Sequence, residues 1–196
     1  MIPTMTNKAC ANIATHYQSQ KSEFSDPFRL RVHRSLSWLT KAVSVHDDDI
    51  RFITLWIAFN ASYVHEVNLF ASSSERSEFR RFLQSICCLD TEQKIYTILW
   101  ETYSGRIRVL LDNKYTFQPF WDSQISQQAC KEYFKRAKDK VHRALNDKDT
   151  DRVLAVVFNR LYTLRNQIMH GGTTHNSQVN RAQIKDGGAI FLLYYP

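Results

Sequence analysis

The sequence predicts an all-α fold, a helical bundle of about six to seven helices. Three observations predict it. Glycine and proline are scarce, five and four in 196 residues, so long segments run without a break. Apolar residues recur at steps of three and four through most of the chain. No stretch alternates apolar and polar residues for long enough to make a strand.

With 43% hydrophobic and 13% aromatic residues the composition is globular, which excludes a disordered or low-complexity chain. The length suits one domain with a real core and is short for two. Residues 1–25 carry small and polar side chains with weak periodicity, and read as a loosely ordered arm. Residues 26–196 then form the single helical domain.

Asp26-Pro27 supplies a helix start, with proline at the first helical position, and Val32, Leu36, Leu39 and Val43 follow at helical spacing. Arg29, Arg31, His33 and Arg34 line the polar side and read as a solvated face. Asp47-Asp48-Asp49 places carboxylates where a helix N-terminus favours them, ahead of an almost wholly apolar helix from Ile50 to Val64. Its one strongly polar residue in the middle, Asn60, is expected to tie helices together. Ser72-Ser73-Ser74-Glu75 reads as a loop and helix start before Phe79, Phe82, Leu83 and Ile86.

Asp90-Thr91-Glu92-Gln93 resembles a capping box, and Ile95, Ile98, Leu99, Ile107, Leu110 and Leu111 continue the pattern, with Gly105 as a point of division. Residues 112–122 hold Tyr115, Phe117, Phe120 and Trp121, a loop pinned to the core by its rings. From about Ser123 to Asn146 one face repeats Cys130, Phe134, Ala137, Val141 and Leu145. Asp147 to Asp151 starts a further helix, carrying Leu154, Val157, Phe158, Leu161, Leu164 and Ile168, that stops at Gly171-Gly172. Asn176-Ser177 caps a last helix, which Gly187-Gly188 weakens.

Twenty-six basic side chains face nineteen acidic ones, a formal charge of +7, so long-range attraction to a polyanion such as RNA is expected. Lys131, Lys135, Lys138 and His142 form a stripe beside the apolar face of their helix. Such a ridge suits the phosphates of RNA, and lysine stems also simply cover apolar surface. Cys10, Cys87, Cys88 and Cys130 form no C-x-x-C pair, and no segment reads as a signal peptide or membrane span. Soluble protein in a reducing cytoplasm is the expectation, without a membrane partner. His16, His33, His46, His65, His142 and His175 show no metal-ligand spacing, so neither metal nor cofactor is expected.

The residues that point to chemistry are Arg165-Asn166-Gln167-Ile168-Met169-His170. Successive helical residues turn by about 100°, so Asn166 and His170 stack while Arg165 and His170 diverge by roughly 140°. One copy presents them imperfectly. Two copies about a two-fold axis bring four polar groups into a shared cleft. RNA carries its own nucleophile, the 2′-hydroxyl. Its cleavage needs a proton acceptor, a positive charge at phosphorus and help for the leaving 5′-oxygen. Histidine suits the proton work, arginine clasps phosphate through a fixed fork of donors, and Asn166 orients either partner. The plainer alternative is a set of helix-end caps and surface hydrogen bonds.

Arg165 to His170 matches the R-x₄-H motif of the HEPN superfamily. Together with Trp56-Ile57-Ala58-Phe59-Asn60-Ala61, Leu161-Tyr162-Thr163-Leu164-Arg165-Asn166, and His170-Gly171-Gly172 followed by Asn176-Ser177-Gln178-Val179-Asn180-Arg181, it resembles the Apea-like HEPN family from roughly Phe28 onward. The resemblance implies a helical domain that dimerises with its motifs facing each other. It further implies a metal-independent endoribonuclease of a toxin–antitoxin or phage-defence system, paired in many cases with an antitoxin of the nucleotidyltransferase type. Some relatives only bind RNA, a nucleotide or a partner protein. Asn180 and Arg181 match a family feature to which helix packing beneath the site is the conservative assignment.

Overall fold

A computed structural model of the chain describes residues 7–63, 75–102, 104–122 and 124–192. Among them are nine α-helices and no strand, so the all-α expectation holds with a somewhat higher helix count. The helices are α1 (Asn7–Gln20), α2 (Asp26–Ser44), α3 (Asp48–Tyr63), α4 (Glu75–Leu89), α5 (Lys94–Thr97), α6 (Ser104–Asp112), α7 (Gln127–Asn146), α8 (Thr150–Met169) and α9 (Arg181–Leu192). No described helix is long and apolar enough to cross a membrane. The backbone divides into two compact units, Met1–Phe79 with His175–Pro196, and Arg80–Thr174.

In the first unit, α2 and α3 pack together and α9 returns onto α3. Phe52, Trp56 and Phe59 of α3 surround Phe191 of α9, with ring centroids 5.7, 5.5 and 5.6 Å away. Tilted and edge-on contacts of this kind add to the burial of four large rings. Ser35 of α2 donates from Oγ to the Ala58 carbonyl at 2.8 Å, which satisfies a buried hydroxyl. Gly188 lies buried where an added Cβ would touch Leu55 Cδ1 at 3.8 Å. The glycine pair that lowers helix propensity in α9 therefore sits at the packed face, where tertiary burial outweighs propensity.

Residues 7–25 depart from the loose arm that their weak periodicity predicts. Asn7–Gln20 is helical, and Lys21–Glu23 adds a 3₁₀ turn. Tyr17 donates from its hydroxyl to the Arg29 carbonyl at 3.2 Å, and its ring stacks near Phe24, which touches Phe28. Two aromatic anchors hold a segment whose remaining side chains are mostly exposed. Asn60 also differs from expectation: its amide oxygen accepts from Tyr63 one turn along the same helix, at 3.0 Å, and among the described residues it ties no second helix. Val64 and Ser72 to Ser74, read above as a helix end and a loop, lie outside the described residues.

In the second unit, α6 and α7 pack against α8. Asp90 caps α5 with its carboxylate, accepting from the N–H groups of Lys94 and Ile95, each at 2.8 Å. Gln93, the expected fourth member of a capping box, has φ 53° instead and does not cap. Division before α6 occurs at a π-turn over Ile98–Thr102, while Gly105 lies inside α6. Ser126 caps α7, accepting from Ala129 N–H at 3.2 Å, and Asp149 caps α8, accepting from Arg152 N–H at 3.0 Å. The loop between α6 and α7 makes two 3₁₀ turns, Lys114–Thr116 and Gln118–Trp121. Thr116 is fully buried and donates to the Leu110 and Asn113 carbonyls.

Candidate active site

Helix α8 buries Val153, Leu154, Val157, Phe158, Leu161 and Leu164, which fixes the direction in which its final turn presents the motif. His170 is the cap residue, with φ −99° and ψ 12°, and its backbone N–H still donates to the Asn166 carbonyl at 3.0 Å. Gly171 follows with φ 70°, the left-handed conformation that a helix stop takes and a side chain resists. A Cβ on Gly172 would lie 3.3 Å from the Gln167 carbonyl oxygen. A side chain would be strained at Gly171 by its φ and crowded at Gly172 by the carbonyl of its own helix.

Arg165 and Asn166 are half-buried, and His170 is exposed. Arg165 donates from Nη1 to Asn166 Oδ1 at 2.9 Å, and its guanidinium lies 5.9 Å from the Tyr162 ring centroid. Asn166 therefore serves both neighbours, its amide oxygen engaging Arg165 and its carbonyl the His170 main chain. That anchoring leaves further Arg165 donors for an oxyanion.

Gln167 was not singled out in the sequence, and it joins the motif to the aromatic loop. It is buried, and Nε2 donates to the Tyr115 carbonyl at 2.7 Å; Trp121 Nε1 donates to the same oxygen at 2.8 Å. Its place three residues after Leu164 and six after Leu161, on the apolar face of the helix, is the signal that could have pointed to it, because an amide on such a face requires a partner.

The basic stripe of α7 is divided. Lys138 Nζ lies 3.0 Å and His142 Nε2 3.3 Å from Asp112 Oδ1 of α6, whereas Lys131 and Lys135 are exposed and meet no carboxylate among the described residues. Burial works against the charge on Asp112, but the Lys138 and His142 hydrogen bonds outweigh it and hold the carboxyl below its ordinary range. Half of the ridge is therefore occupied in fastening α7 to α6.

A second polar cluster forms in the first unit. Arg181 Nη2 donates to Asp49 Oδ2 at 3.0 Å, Asn176 N–H donates to the same oxygen at 2.7 Å, and His175 Nε2 lies 2.7 Å from Asp47 Oδ2. Asp47 also accepts from Ile50 N–H at the start of α3; that bond, and then His175, hold its carboxyl below the ordinary range. Arg181 packs onto the N-terminus of α3, and Asn180 is buried with its carbonyl receiving Ile184 N–H. These contacts all lie within the first unit, at the start of α3.

Ligand atoms of Asp47, Asp49 and His175 lie within 4.8 Å of one another, close enough to contact a single cation. Sequence reading missed this grouping because the aspartates and His175 are far apart in the chain. Arg181 already supplies positive charge to Asp49, and the hydrogen bonds of the cluster join the start of α3 to the segment before α9.

No protein-family model, no curated protein and no solved structure matches the chain.

Proposed function

We propose that this protein is a metal-independent endoribonuclease of the HEPN type, acting as a homodimer, with Arg165, Asn166 and His170 as its catalytic residues. The observation that carries the reading is the Arg165–Asn166 hydrogen bond of 2.9 Å on the turn that ends at the exposed His170. Among the described residues Arg165 meets a neutral amide and no carboxylate, and an arginine so held keeps its charge for a phosphate. The positive net charge of the chain favours the same substrate.

In the proposed reaction the 2′-oxygen of one ribose attacks the adjacent phosphorus. A bond forms between that oxygen and phosphorus, and the bond from phosphorus to the 5′-oxygen of the next nucleotide breaks. His170 accepts the 2′-hydroxyl proton, and the departing 5′-oxygen takes a proton from the second imidazole of the dimer or from water. Arg165 binds the non-bridging oxygens, whose charge grows in the crowded transition state. The products are a 2′,3′-cyclic phosphate and a 5′-hydroxyl. Arg165 of one copy working with His170 of the partner subunit answers the angular divergence of the two residues on a single helix.

Purified protein incubated with single-stranded and structured RNA in excess EDTA tests the reading. Positioned proton transfer contributes about 10²- to 10⁴-fold, so His170→Ala and Arg165→Ala should each lose most cleavage while retaining fold and much of the RNA affinity. Cleavage unchanged in both variants excludes this site, and RNA binding without cleavage by the wild type selects a binding module in its place.

A further inference from the structure

We propose that a groove in the second unit, walled by Phe117, Phe120 and Phe134 with Lys114 and Lys131 beside them, binds a planar aromatic anion, the chemistry of a nucleobase carrying a phosphate. This site neither contains nor requires Arg165, Asn166 or His170, and stands apart from the ribonuclease reading.

The groove encloses about 410 Å³, within the ~300–1,000 Å³ typical of small-molecule sites. Its lining holds three phenylalanine rings and two lysines and, among the described residues, no carboxylate. Phe117 and Phe134 lie with centroids 5.3 Å apart, and Lys114 Nζ stands 5.5 Å from the Phe120 centroid. Rings of this kind stack on bases of any sequence, and adjacent cations reward an attached phosphate. Neither lysine meets a carboxylate among the described residues.

Arg160 supplies the second observation. It projects from α8 with 4% exposure, and its guanidinium carbon lies 4.7 Å from the Phe117 centroid and 5.8 Å from that of Phe134, the same two rings that wall the groove. Its Nε is buried without a hydrogen-bond partner, and no carboxylate pairs with it among the described residues. Desolvation lowers its pKa to about 10, which still leaves it charged at neutral pH. A buried, unpaired cation is costly, and ring faces compensate only in part. An anion in the adjoining groove offsets that cost. Its planar portion meets the rings, while Lys114 and Lys131 meet its charge.

Calorimetric titration at low salt tests the site with four probes: adenosine 5′-monophosphate, adenosine, inorganic phosphate, and a 5′-phosphorylated 2′-O-methyl RNA oligonucleotide. The last lacks the attacking hydroxyl and stays whole. The monophosphate should bind at least about tenfold more tightly than adenosine or phosphate, because only it engages both rings and cations. Its affinity should fall as salt rises. Lys131→Glu and Phe120→Ser, both at exposed side chains, should each weaken it several-fold without unfolding the chain, and Arg160→Met should weaken it too. An oligonucleotide that binds more tightly than the mononucleotide identifies a strand end as the natural source; the reverse order identifies a free nucleotide. The proposal is overturned if the folded wild type binds neither. It is equally overturned if adenosine or phosphate alone matches the monophosphate, or if Lys131→Glu and Phe120→Ser bind as the wild type does.

Discussion

The side chain of Gln167 donates to the carbonyl of Tyr115 at 2.7 Å, so the last turn of α8 and the aromatic loop before α7 are hydrogen-bonded to each other across 52 residues of sequence. That bond links the turn that carries the proposed catalytic motif to the loop that contributes Lys114, Phe117 and Phe120.

Gln167→Leu removes it and buries an apolar group of similar size. The Tyr115 carbonyl retains Trp121 as a donor, which limits the loss to about 1–2 kcal/mol. Chemical denaturation should register that loss, and hydrogen exchange should quicken in residues 113–122. Unchanged exchange in the loop contradicts the coupling.

Asp49→Ala leaves Arg181 largely buried beside Asp48 alone, whose oxygen is 4.0 Å away. Removing one member of a buried pair typically costs about 3–5 kcal/mol, here a Tm fall on the order of 10 °C. A double-mutant cycle with Arg181→Met should return a coupling energy of at least about 1 kcal/mol. Strict additivity means that the pair does not bind α9 to α3.

Asp112 has a folded-state pKa below its unfolded one, so its contribution to stability is present above the ordinary aspartate range and is lost as pH falls through the folded value. Its side chain is 41% exposed, and solvent screening limits the contribution to about 1 kcal/mol or less. Asp112→Asn should therefore be less stable than wild type at pH 7, with the gap closing as both are acidified to about pH 3. A gap of equal size at both pH values refutes the Lys138 and His142 pairing.

The four thiols should separate by reactivity. Burial, then Asp151 and Asp90, push Cys87 up to about 11, and burial also raises Cys10. Thiolate is the reacting form, so both should alkylate slowly at pH 8, whereas the exposed Cys88 should react first. Peptide mapping after brief iodoacetamide treatment reads the order, and rapid modification of Cys87 contradicts its surroundings.

Much of the helical architecture was legible because α2, α3, α7 and α8 carry apolar residues at helical spacing, and that period is local information. The stop at Gly171-Gly172 was legible for the same reason, since it rests on the φ of one residue and a close approach to its own helix. What escaped was non-local. Arg181 meets Asp49 across 132 residues, and nothing near either residue announces the other. Tyr17 orders the N-terminal helix through one hydroxyl and one ring, too sparse a signal to register as periodicity. At the candidate site, the residue types of Arg165, Asn166 and His170 were evident, while the hydrogen bond that orders the first two and the buried role of Gln167 required coordinates.

The most direct measurement is the chemistry of the RNA ends left by wild-type protein in excess EDTA, read by mass spectrometry of a short oligonucleotide of known sequence. Fragments ending in a 2′,3′-cyclic phosphate, each paired with a 5′-hydroxyl and absent from the His170→Ala reaction, are predicted. Fragments with 5′-phosphates, cleavage that EDTA abolishes, or an oligonucleotide left intact by the folded protein would contradict the account.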